Sequence, residues 1–124
     1  MKFALCLASF LAFGVGLAHS YLGEKYLLIR LFRRVDLPHL MGGPEFTMRT
    51  LRFAWHLTTV AWWGFAAILV LLADQSLSIR SVSWVLAITF LVSSAITAIA
   101  SRGRHLAWLV FLVIGGVCAW VASA

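Results

Sequence analysis

Four stretches of this sequence carry no Asp, Glu, Lys or Arg: Phe3–Ser20, Phe53–Ala73, Val82–Ala100 and His105–Ser123. Each is close to the roughly 20 residues that cross a ~30 Å hydrocarbon core as a helix. Lipid offers no water to unpaired backbone groups, so a spanning segment of this kind is expected to be helical. The stretches are apolar on every face and do not alternate, which does not fit the strands of a membrane barrel. The pattern predicts an all-helical, four-span transmembrane bundle in one domain.

Residues 24–34 have a different rhythm. At about 100° per residue, Leu27, Leu28, Leu31, Phe32 and Val35 share an arc, and Arg30, Arg33 and Arg34 lie opposite. This predicts a short amphipathic helix lying in the membrane interface. Pro38 ends it, since proline disfavours helical geometry in the residue before it. The run Gly42-Gly43-Pro44-Glu45 restarts a helix, with Pro44 suited to its first turn and Glu45 to its positive end. Glu24 breaks the amphipathic pattern, falling in line with Leu28, Leu31 and Val35. It either caps or pairs locally with an arginine, or serves as a ligand or proton carrier in a polar site.

Spacing also marks helix faces. Ala4, Ala8, Ala12, Gly16 and Ser20 form a row of small residues, and Gly115, Ala119 and Ser123 a shorter one; such rows let helices approach closely. Thr89, Ser93, Thr97 and Ser101 make a hydroxyl stripe expected to face protein, each also able to bond its own preceding turn. Arg49, Arg52, His56, Thr59 and Trp63 form a polar stripe expected to face the bundle interior. Tryptophans near the ends read as interface anchors, whereas Trp62 and Trp63 lie deeper.

Composition agrees: 63% of residues are hydrophobic and 11% charged, against roughly 25% charged in an average soluble domain. The net charge of +6 is distributed unevenly. Lys25, Arg30, Arg33, Arg34, Arg49 and Arg52 lie between the first two stretches, and Arg102 and Arg104 between the last two; only Lys2 and Arg80 fall on the other side. The positive-inside rule then puts both termini on the outer side of a bacterial-type inner membrane. The basic residues sit where anionic lipid head groups are the expected partners and nucleic acid is not. The first stretch, with Lys2 before it and Gly16, Ala18 and Ser20 at its end, has features of a signal peptide. Its length and the basic segment after it favour a retained helix.

On this topology His19, His56 and His105 fall at the cytoplasmic end at similar depth, with Glu24 nearby and His39 in the first loop. Ionisable residues at membrane depth default to a functional reading. Three imidazoles and a carboxylate suit zinc, iron or copper. Two of the histidines would equally serve a b-type haem, with Arg49, Arg52, Arg102 or Arg104 near its propionates. The bland alternative is that they bond loop backbones or lipid phosphates. Cys6 and Cys118 lie at matching depth near the outward ends, where a disulfide is chemically open, although isolated thiols are commoner in membrane helices. Two functional classes follow: a metal- or haem-binding protein with His19, Glu24, His56 and His105 as ligands, or a non-enzymatic accessory subunit. The second class would pack on a larger membrane complex, self-associate, or bind anionic lipid.

Overall fold

The computed structural model describes residues 1–124, which form four helices and no strand: α1 (Lys2–Leu31), α2 (Pro44–Ala73), α3 (Ile79–Ser101) and α4 (Ala107–Ser123). The first three are long and apolar enough to cross a membrane, which suggests a membrane protein; α4, at 17 residues, is shorter. α2 begins where the sequence placed it. Gly43 adopts φ 102°, a left-handed value that glycine tolerates, and Pro44 and Glu45 open the first turn. Ser78 and Ser81 form a reciprocal cap on α3, each hydroxyl accepting the other's backbone N–H at 3.0 and 2.9 Å.

The separate interfacial helix is not formed. Residues 24–31 are helical, but they continue α1 without a break, through a π-helical segment at Gly23–Leu28. Nothing between Leu22 and Leu31 interrupts the backbone: Gly23 stays in ordinary right-handed geometry. The wider π turn also changes which side chains align. Leu28 is buried, whereas Leu27 is half exposed and Val35, beyond the helix, is fully exposed.

The expected closed bundle opens into a row. α1 packs on α2, α2 on α3 and α3 on α4, while α1 and α4 make no contact. Each seam has its own chemistry, which explains the order. In the α2–α3 seam Gly64 lies against the Thr89 side chain. In the α3–α4 seam Gly115 lies against Leu91, Phe90 tilts onto Phe111 at 6.0 Å, and Ser94 Oγ donates to the Trp108 carbonyl at 2.7 Å. Gly115 is thus spent on α3 and never meets the small row of α1. The hydroxyl stripe of α3 does face protein, with Thr97 and Ser101 fully buried and Thr89 and Ser93 each bonding the carbonyl four residues back.

The same geometry keeps the two cysteines apart. Cys6 and Cys118 are free thiols on α1 and α4, helices that never meet, and a disulfide requires Cα atoms within about 7 Å. The two basic connections do share one end of the row: the Arg104 guanidinium lies beside Gly42 and 5.7 Å from the Phe46 ring centre. At the opposite end Lys2 pairs with Asp74 at 2.8 Å.

Candidate functional site

Polar contacts run the length of the α1–α2 seam in antiparallel register. As the α1 partner advances through Lys2, Ser9, Phe13, Gly16, Ser20 and Glu24, the α2 partner retreats through Asp74, Ala66, Trp63, Thr59, His56 and Arg52. Four are side chains bonding a backbone carbonyl across the seam: Ser9 to Ala66 at 2.9 Å, Trp63 Nε1 to Phe13 at 3.2 Å, Thr59 to Gly16 at 3.1 Å and Trp55 Nε1 to His19 at 3.1 Å. Such bonds hold helices together where no hydrophobic effect operates between them. From Arg52 to Trp63 the polar stripe of α2 therefore faces α1 and not a central interior, while Arg49 pairs with Glu45 on its own helix.

At the end bearing the basic connections, the seam becomes ionisable. Glu24, inside the π segment, receives Arg52 through two nitrogens, Nη2 at 2.9 Å and Nε at 3.2 Å. This is the two-pronged geometry that suits a guanidinium to a carboxylate. The same carboxylate stands 3.3 Å from His56 Nε2. His56 Nδ1 lies 2.8 Å from Ser20 Oγ, and Ser20 Oγ lies 2.7 Å from Thr59 Oγ1, which donates to the Gly16 carbonyl at 3.1 Å. The side chains of Glu24 and His56 remain about one-third exposed, so the cluster is reachable from outside. Ser20 and Glu24 also line an open groove with Leu17, Tyr21, Lys25 and Ile29.

Proton counting sets the chemistry of this chain. Four contacts link Glu24 to Gly16, through His56, Ser20 and Thr59. A neutral imidazole has one N–H and each hydroxyl one O–H, so three protons serve four contacts. With Nε2–H donated to Glu24 and Ser20 donating to His56 Nδ1, one of the Ser20–Thr59 and Thr59–Gly16 contacts must go unmade. One added proton on the Glu24–His56 pair completes the set and reverses the donation between His56 and Ser20: Nδ1–H to Ser20, Ser20 to Thr59, and Thr59 to the Gly16 carbonyl.

The other predicted ligands are engaged elsewhere. His19 stacks on Trp55 at 4.3 Å and meets Trp62 edge-on at 4.9 Å. Thr58 gives its hydroxyl proton to the Trp55 carbonyl at 2.7 Å, so it accepts from His19 Nε2–H at 2.8 Å. His105 sits between Phe46 and Phe53, on another face of α2, and its Nδ1 accepts the Ala107 N–H at 3.3 Å, capping α4. His39 is exposed. Only Glu24 and His56 of the four predicted ligands meet, and no three His, Cys, Asp or Glu side chains gather as a metal-binding group. The arginines also divide. Arg52 serves Glu24, Arg49 pairs with Glu45 at 2.6 Å, and Arg49, Arg102 and Arg104 line a common cleft.

Ser20 and Thr59 are members of the cluster that sequence reasoning valued only as packing and stripe positions. Their signal was the matching one-turn spacing of Ser20 with Glu24 on α1 and of Arg52 with His56 on α2. No protein-family model, curated protein or solved structure matches this chain.

Proposed function

We propose that this chain is a multi-pass protein of a bacterial-type inner membrane, in which the Glu24–His56 pair is a proton-binding centre near the cytoplasmic face. The observation that carries this reading is the proton deficit of the chain from Glu24 to Gly16, which one proton on the pair makes good. Two further features support it. π segments occur often at functional sites, and Glu24 lies in one. An ionisable cluster on a long apolar helix is costly to keep unless it is used. The cytoplasmic orientation is supported by the two basic connections lying at this end.

An acyl-transfer reading of Ser20, His56 and Glu24 fits less well. Ser20 lies within α1, where the surrounding N–H groups are committed to the helix and cannot stabilise an oxyanion. A metal ion or haem held by His19, Glu24, His56 and His105 has less support, since only one pair of the four meets.

The test is nitrogen-15 NMR of His56 in neutral micelles across about pH 5 to 8, where histidine side chains change charge. Glu24→Gln is expected to alter the protonation of the His56 ring relative to the native chain. A His56 that keeps one protonation state throughout, in both proteins, rules the reading out.

A second reading, an accessory subunit that packs against other membrane helices, is favoured by the open row, because α1 and α4 each have a helix partner on one side only. Its check is the mass of the particle released in mild detergent: a single chain with lipid argues against it.

A further inference from the structure

A second cleft, at the N-terminal end of α2, is built from Glu45 and Arg49 on that helix, Ser101 at the end of α3, and Arg102 and Arg104 in the connection that follows, over the ring of Phe46. It encloses about 40 Å³. That exceeds the roughly 10–15 Å³ needed for a single water and accommodates one small tetrahedral group. Three guanidiniums meet one carboxylate there. Glu45 already holds Arg49 at 2.6 Å and is largely exposed, so it offsets one of the three positive charges and leaves two.

Two features show that the cleft is more than a chance grouping of surface arginines. The Ser101 hydroxyl is fully buried and accepts the His105 N–H at 3.3 Å, and its own proton makes no bond within the protein. A buried donor of this kind calls for an acceptor. Arg102, moreover, stands at the left-handed C-terminal position of α3, φ 53°, where glycine or asparagine is the ordinary residue. The turn is closed in the usual way, by Gly103 N–H to the Ala98 carbonyl at 2.8 Å, so the arginine side chain adds nothing to the cap itself.

We infer that this cleft binds a phosphate group, with Arg49, Arg102 and Arg104 neutralising its charge and the Ser101 hydroxyl donating to one oxygen. Guanidinium groups match phosphate oxygens in geometry as well as charge, and several donors converging on one tetrahedral group give the site its selectivity for it. The group arrives either as free phosphate or as the head-group phosphate of an anionic lipid, because the cleft lies at the end of the row that carries the basic connections.

Two measurements separate these sources and test the site. Inorganic phosphate is titrated into the protein in a neutral detergent and followed by thermal unfolding. Separately, the protein is extracted from nanodiscs of mixed phosphatidylglycerol and phosphatidylcholine, and its retained lipid is weighed by native mass spectrometry. The variants are Arg102→Gly, which relieves the left-handed backbone and preserves the fold, and Arg104→Gln. The site predicts that at least one ligand binds the native chain and that each variant weakens it by about tenfold or more, with helix content unchanged. Stabilisation by phosphate alone identifies a soluble ligand, and selective retention of phosphatidylglycerol a lipid head group. Absence of both from the native chain, or equal binding by Arg102→Gly and the native chain, overturns the site.

Discussion

Gly23 packs so closely on the indole of Trp55 that a methyl group on its Cα would overlap Nε1 and the neighbouring ring carbons. The contact sits where the π segment begins, one residue before Glu24. Gly23→Ala must therefore displace Trp55, which also stacks on His19 and donates to its carbonyl. Overpacking of this kind costs about 1–3 kcal/mol. Gly14 on the same helix meets nothing within 4 Å, so Gly14→Ala is expected to be neutral or to stabilise by up to ~1 kcal/mol through helix propensity. Thermal unfolding in one detergent, followed by circular dichroism, compares the two directly.

Thr59 ends the chain of hydroxyls that leads from His56. In the protonated arrangement it receives the Ser20 proton and passes its own to Gly16, whereas in the proton-free arrangement Ser20 donates to His56 and does not need it as an acceptor. Thr59→Val should therefore leave the Ser20 hydroxyl with His56 as its side-chain partner. At one pH, the His56 ring-nitrogen signals of the variant are expected to differ from those of the native chain by nitrogen-15 NMR. Unchanged signals would mean that the hydroxyl chain is not linked to the pair.

Asp36 lies in the connection between α1 and α2, outside both helices. The Arg34 guanidinium, bonded to its two oxygens at 2.9 and 2.7 Å, holds this carboxyl below the usual carboxylate range. The stabilisation is present above the ordinary carboxylate value and is lost as acid takes the pH through the lowered one. Both groups are well exposed, so the effect on overall stability is small. Carbon-13 NMR of the Asp36 carboxyl is expected to show it moving back toward its ordinary value in Arg34→Gln.

Cys6 and Cys118 are expected to remain separate thiols under oxidising conditions. Cys6 is exposed and Cys118 only partly so; a maleimide should label Cys6 first in the purified, non-reduced protein. A band shift that requires reductant before labelling would indicate a bridge and a fold in which α1 and α4 meet.

Periodicity in the sequence reveals depth along a helix better than direction around it. The start of α2 was readable because Pro44 fixes its own φ for a first turn and Gly43 tolerates the left-handed value that precedes it. Glu24 was readable as an anomaly because a carboxylate in an apolar arc has few explanations. The histidines were correctly expected at one end, yet three neighbours in depth belong to three environments: Trp55 and Trp62 around His19, Ser20 and Glu24 around His56, Phe46 and Phe53 around His105. Closing the row into a bundle would need α1 and α4 to meet, and small-residue rows on both do not specify which helix each row will choose. The π turn was hidden for a related reason: a helical wheel drawn at one fixed angle per residue cannot register a segment that changes the angle.

The hydroxyl chain from His56 to Gly16 has a consequence beyond its stoichiometry. Groups that both give and receive a hydrogen bond can be strung in either sense, and each sense has its own electrical polarity. Glu24 and Gly16 are eight residues apart on one helix, about 12 Å at 1.5 Å per residue. On the proposed reading, a proton arriving at the exposed mouth turns the Ser20 hydroxyl from His56 toward Thr59, so a charge at one end of the seam is felt one helical turn from Trp63.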